Sequence, residues 1–291
     1  MKVVREILRG LLIGAAGIMP GISGGTLAVS MGVYDTIIKA ISGLFRQPAP
    51  SVRILMPYGL GMLAGIGGLA LVIEGLFLRY PLATSLAFLG LILGGIPAVW
   101  KRADFKQNGM QKYMIFIVTF CLMIVLLVME GSNEAGESVM VFGSSGERLL
   151  VMTCVGLIAS VTMVVPGVSG TMLLMMMGYY QPVLHAFNQV QKGAFAGNWQ
   201  LVMEQQEILM PFMVGLVVGV FLCAKTMEVL IRRYGPMVYA AVAGLVVSSP
   251  VVVLWSVPVG AAGTAERAAG VGLLAVGIWL VYQTGEEISE S

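Results

Sequence analysis

Two short stretches collect the residues whose types and spacing could do chemistry, Pro20-Gly21-Ile22-Ser23-Gly24-Gly25-Thr26 and Pro166-Gly167-Val168-Ser169-Gly170-Thr171. Each interrupts an otherwise apolar run. Proline removes a backbone donor, and glycine adopts conformations other residues resist, so Pro20 and Pro166 are read as helix breaks. Within a bilayer such a break is tolerated only where protein or a water-filled cavity satisfies the freed backbone groups. Ser23, Thr26, Ser169 and Thr171 supply hydroxyl donors, while Gly21, Gly24, Gly25, Gly167 and Gly170 let a ligand approach the backbone. A helix starting just after each break would offer unsatisfied N–H groups and roughly +0.5 of an elementary charge. That combination suits an anion, above all a phosphate. The competing reading is a tight hairpin whose serine bonds to its own backbone.

Both stretches also have the Gly-x-Ser-Gly form of an intramembrane serine hydrolase. A nucleophilic serine needs a base within hydrogen-bond reach. The one histidine, His185, lies 16 residues after Ser169, roughly 24 Å along a continuous helix. The first copy has Lys39 near the matching place, so the catalytic reading is the weakest, and no enzyme activity is expected. Cys121, Cys154 and Cys223 lie inside apolar runs without CxxC spacing and read as small packing residues. No metal or cofactor is expected.

Other ionisable groups are candidates for headgroup attraction or ion coupling. Glu74 and Glu228 each stand five residues before an arginine, Arg79 and Arg233. They read first as interfacial charge pairs and second as coupling carboxylates. Asp35 has the same status, and its i, i+4 spacing to Lys39 suggests a local ion pair. Arg5 and Arg9, on the segment leading to the first break, would attract an anionic headgroup or anchor the helix.

The elements that must position these residues are membrane helices. Of 291 residues 58% are hydrophobic and 11% charged, and mean hydropathy is +0.91. Soluble domains carry roughly 25% charged residues. The net charge of +2 comes without a basic, aromatic-interleaved patch, so no nucleic-acid partner is expected. Met1–Gly17 imitates a secretory signal, but its counterpart Gly156–Met163 lies mid-chain, so the segment is expected to be retained as structure.

The chain repeats itself. Pro20–Phe45 aligns with Pro166–Gln191 at an offset of 146, matching Ser23/Ser169, Gly24/Gly170, Met31/Met177, Gly32/Gly178 and Tyr34/Tyr180. From Ile54/Ile208 the offset becomes 154 and carries Pro57/Pro211, Gly61/Gly215, Gly65/Gly219, Tyr80/Tyr234 and Gly90/Gly244. The shift places a longer loop around Lys192–Gln206. Each copy then reads as a short helix, the break, a second helix and three spans: Leu55–Ile73, Leu82–Trp100 and Met114–Met129, then Leu209–Met227, Met237–Leu254 and Ala269–Tyr282.

The expected fold is an all-α polytopic membrane protein, one membrane domain over 1–291. Its first repeat is 1–131 and its second, inverted repeat 148–285, each a re-entrant broken-helix hairpin plus three transmembrane helices. The inversion follows because a copy crosses an odd number of times whether its hairpin is re-entrant or crosses fully. Eleven cations on the N-terminal side, among them Lys101, Arg102, Arg232 and Arg233, against four opposite (Arg79, Arg148, Lys192, Arg267) put both termini in the cytoplasm. Inverted repeats with broken helices meeting at mid-membrane describe a transporter.

The signature Met19–Thr26, its shorter echo Val165–Thr171 and the six-span pattern resemble the bacterial polyprenyl-phosphate transporters. The resemblance covers Arg5 to about Tyr282. It implies transport of undecaprenyl phosphate across the cytoplasmic membrane, for recycling of the carrier lipid, with the two breaks around the phosphate. The expected partners are the polyprenyl-phosphate lipid, membrane lipids, and a proton or sodium ion as candidate coupling ion. Two alternatives remain beside it: an ion-coupled carrier of a small soluble anion, and a scaffold whose breaks are structural.

Overall fold

The computed structural model describes residues 2–17, 23–107, 109–132, 145–255, 257 and 262–289. Among these every regular element is an α-helix. The first half contributes α1 (Lys2–Ala16), α2 (Gly24–Ser30), α3 (Tyr34–Gly43), α4 (Pro48–Gly68), α5 (Ala70–Arg79), α6 (Pro81–Ala103) and α7 (Gly109–Ser132). The second half contributes α8 (Ser145–Val164), α9 (Gly170–Met176), α10 (Tyr180–Ala196), α11 (Trp199–Glu204), α12 (Gln206–Trp255) and α13 (Thr264–Ser289).

Among the described residues five helices are long and apolar enough to cross a bilayer, over Pro81–Ala103, Gly109–Met129, Gly146–Val164, Gln206–Trp255 and Thr264–Gln283. The 50 residues of α12 would extend about 75 Å if straight, far beyond a core of ~30 Å. The helix is instead bent at Tyr234 (φ −132°, ψ 34°) and forms two limbs, 206–233 and 235–255. Tyr80, its match in the repeat, has φ −138° and ψ 64° and separates α5 from α6. The chain is thus a multi-pass membrane protein.

Two sequence expectations need correction. The span expected over Leu55–Ile73 is divided at Leu69, where α4 gives way to α5, because Gly65, Gly67 and Gly68 weaken the helix there. The longer loop of the second copy is not a loop throughout. It extends α10 and adds the short α11, whose first turn is held by Asn198 Oδ1 accepting from Leu201 N at 3.3 Å.

Matching helices pack in matching ways. α1 lies on α4, and α8 lies on the first limb of α12. At both seams a glycine admits the facing backbone: a Cβ at Gly61 would overlap Ile7 O, and one at Gly215 would overlap Thr153 O. The later helices pair across the halves, α6 with α13 and the second limb of α12 with α7. There Gly90 sits against Leu274 and Gly244 against Phe116. Such exchange ties the halves together by close van der Waals packing, as helices do in lipid, and Glu266 Oε1 of α13 also accepts from Leu82 N of α6 at 3.0 Å. The main core, including Leu27, Val29, Tyr34, Ile92, Val164 and Val246, fills the space between α2, α3, α6 and the second limb of α12.

Candidate functional site

From Ser23 and Ser169 onward the two stretches build the same local structure from similar sequences. Ser23 (φ −97°, ψ 130°) and Ser169 (φ −82°, ψ 129°) are extended residues directly preceding α2 and α9. Each seven-residue helix closes through the same set of bonds. Met31 N donates to Leu27 O at 2.9 Å and Val33 N to Ala28 O at 3.0 Å; Met177 N donates to Leu173 O at 3.1 Å and Tyr179 N to Leu174 O at 2.9 Å. The turn that follows needs a left-handed residue, filled by Gly32 (φ 69°) and Gly178 (φ 76°). Neither serine side chain caps its helix. Ser169 Oγ instead pairs with Thr171 Oγ1 at 2.9 Å.

The breaks also meet. A methyl added at Gly25 would touch Pro166 Cα at 3.4 Å, so the start of α2 rests on the second break. Tyr34 OH donates to Val164 O at 2.8 Å, a buried bond between residues 130 apart in sequence. It serves a carbonyl at the end of α8, where the break removes intrahelical donors. Gly167 (φ 92°) completes the turn and faces Leu245 of α12. Between the breaks, Thr26 is fully buried and its Oγ1 has no hydrogen-bond partner. A buried unpaired hydroxyl costs about 1–3 kcal/mol.

Of the first stretch, Gly25 is brought against Pro166 and Gly24 against Ile13 of α1, with Ser23 and Thr26 flanking them in the chain; Gly167, Ser169, Gly170 and Thr171 follow Pro166 in the second. Pro20 and Gly21 lie outside the described residues, as does the Glu74 side chain. Because α2 and α9 are only two turns long, their axial dipoles are smaller than those of full helices. The side-chain donors at the two stretches are the hydroxyls of Ser23, Thr26, Ser169 and Thr171.

Arg5 and Arg9 lie on α1, before the break, and Arg9 faces Tyr58 with its Nη2 buried and unpartnered. Asp35 does not pair with Lys39 on its own helix. Its carboxylate takes Arg102 Nη1 at 3.0 Å and Tyr239 OH at 2.5 Å, joining α3, α6 and α12. Glu228 likewise takes Lys225 Nζ at 2.6 Å and Ser42 Oγ at 2.5 Å, and Arg233 lies over the Tyr234 ring. Asp35 leaves Lys39 because an ion pair half-sheltered by three helices is less screened than one along a single exposed face, whereas Glu228 pairs with a cation of its own helix, Lys225 three residues before it.

His185 Nε2 is bonded to Gln189 Nε2 at 3.3 Å, and the partner of Ser169 is Thr171, so no serine–histidine pair exists among the described residues. Tyr34 and Arg102 are the junction residues that sequence reasoning overlooked. In the sequence Tyr34 shows only as one of the repeated positions, and Arg102 only as one of many cytoplasmic cations.

Comparison with known proteins points one way. The profile of the family described as VCA0040-like, undecaprenyl phosphate translocase-like, matches residues 13–267. A polyprenyl-phosphate transporter of Staphylococcus aureus is 32% identical over 247 residues, covering 84% of this chain and 83% of that protein. A polyprenyl-phosphate transporter of Vibrio cholerae is 26% identical over 265 residues, covering 86% and 77%. No solved structure matches this chain.

Proposed function

The chain belongs to the undecaprenyl phosphate translocase-like family, a family of transporters rather than enzymes, and from that membership we propose that it carries polyprenyl phosphate between the leaflets of the bacterial cytoplasmic membrane. The observation supporting the site is the contact between the two breaks, Gly25 against Pro166 with Tyr34 bonded to Val164 O. Ser23, Thr26, Ser169 and Thr171 then donate to one phosphate, and the glycines admit its oxygens to the backbone. These groups replace part of the water that a phosphate monoester must shed on leaving the interface. No fixed ionic side chain is needed at mid-membrane, where one would be costly.

In this reading the halves are inverted repeats and each break is the tip of a re-entrant hairpin, entering from opposite faces. The matched α1/α4 and α8/α12 seams and the matched bends at Tyr80 and Tyr234 support it. The charge count supports a cytoplasmic position for both termini. The isoprenoid tail stays in lipid while the headgroup passes, so the path is a groove open to the bilayer. Reconstitution into vesicles with labelled undecaprenyl phosphate tests the function. Wild type should move the label between leaflets faster than protein-free vesicles, and equal rates would end the transport reading. Ser23→Ala combined with Ser169→Ala should slow movement at least tenfold, a loss of about 1.4 kcal/mol or more; an unchanged rate would remove the serines from the site.

A further inference from the structure

At the end of the bundle where Arg102, Arg232 and Arg233 gather, α3 and α12 enclose a cavity of about 260 Å³ lined by Asp35, Ile38, Lys39, Glu228, Ile231 and Arg232. None of these residues belongs to either break. Both carboxylates are already engaged, Asp35 by Arg102 and Tyr239, Glu228 by Lys225 and Ser42. Lys39 and Arg232 are exposed and, among the described residues, neither forms an ion pair. Counting the lining and its direct partners, four cations (Lys39, Arg102, Lys225, Arg232) face two carboxylates (Asp35, Glu228). The excess of two positive charges matches the roughly −1.5 to −2 of a phosphate monoester near neutral pH.

The rest of the lining selects the kind of anion. Ile38 is buried and Ile231 half-buried, and both belong to or pack against the main core. A free inorganic ion gains nothing from them, whereas the first carbons of a lipid alcohol lose apolar surface to water there. The cavity is smaller than the ~300–1,000 Å³ of ordinary small-molecule pockets. It therefore admits a headgroup and the start of a chain, with the remainder leaving over the apolar outer surface.

We propose that this cavity is a second station for a lipid phosphate monoester, separate from the paired breaks, with the phosphate held between Lys39 of the first half and Arg232 of the second and the chain root against Ile38 and Ile231. The assignment of a prenyl alcohol rests on the transport reading above; the phosphate chemistry does not. Because α3 and α12 supply opposite walls, an occupied cavity ties the halves together at this end.

The test uses the purified full-length protein in nanodiscs. Lys39 is labelled with an amine-reactive reagent, quantified by peptide mass spectrometry, and protected with farnesyl phosphate or with inorganic phosphate. Farnesyl phosphate should protect Lys39, and inorganic phosphate should need at least roughly tenfold more. Arg232→Gln, an exposed substitution checked for an unchanged melting temperature, should raise the protecting concentration about tenfold, the value of one charge-assisted bond. Ser23→Ala with Ser169→Ala should leave protection unchanged.

Absence of protection by farnesyl phosphate, or indifference to Arg232→Gln, overturns the proposal. Equal protection by inorganic phosphate overturns the lipid assignment, and loss of protection in the serine variant overturns the separation of the two stations. Protection with no transport above protein-free vesicles would leave this cavity standing and sink the transport reading instead.

Discussion

α2 and α9 share their length, the extended serine before them and the glycine-closed turn after them, yet their surroundings differ. In α2, Thr26, Leu27, Ala28, Val29 and Ser30 are all buried. In α9, Thr171 and Met175 are exposed and the other described side chains are half-exposed. The cause lies outside both helices. Ser30 seats directly on Gly95 of α6, where even a methyl would overlap its backbone, and Ser30 Oγ bonds Ile92 O at 3.2 Å. The matching positions of the second half are Met176 and Ser249, too large for so close an approach. Local sequence builds the short helix, and a small-residue contact with α6 accompanies the burial of α2. In the transport account, the buried stretch and the exposed stretch are the two half-sites caught in unequal exposure.

The contact at Gly95 is where the comparison breaks most completely. Gly95→Ala should unseat α2 and cost about 3 kcal/mol, the upper range for overpacking a core, read as a lower melting temperature in detergent. Ser249→Ala, at the matching sequence position on α12, removes a bond to Leu245 O and should cost about 0.5–1.5 kcal/mol. Equal losses would mean that α2 and α9 are held alike.

Tyr34→Phe should cost about 1–3 kcal/mol, because it leaves Val164 O buried without its donor. Tyr180→Phe, half-exposed at the matching position, should change the melting temperature little. Thr26→Val sharpens the comparison from the other side. It removes an unpaired buried hydroxyl while keeping the shape, so stability should rise by about 1 kcal/mol while transport in vesicles slows. A lower melting temperature for Thr26→Val would show that the hydroxyl serves the resting fold.

Much of this architecture is legible in the sequence because it rests on small residues at fixed spacing. Gly61/Gly215 and Gly90/Gly244 stand out as repeated glycines, and each proves to mark a close helix seam. The spans over 82–100 and 114–129 fall inside α6 and α7, since long uncharged apolar runs leave few alternatives. The Asp35–Arg102–Tyr239 cluster is not legible there. Arg102 lies 67 residues from Asp35 and 137 from Tyr239 along the chain, and helix periodicity offers only the nearer Lys39. The unequal burial of α2 and α9 is hidden for a similar reason, because it depends on Gly95 and Ser249, far from either break.

The central claim is that the two breaks hold one phosphate together. It is tested most directly by measuring leaflet-to-leaflet movement of labelled undecaprenyl phosphate for Ser23→Ala, Ser169→Ala and the double variant in one cycle. If both serines donate to the same phosphate, their effects couple: each single change slows transport, and the double variant is slowed by clearly less than the product of the two, with an interaction energy above about 0.5 kcal/mol. Losses that multiply cleanly would contradict the account, because they would mean two independent breaks rather than one shared site.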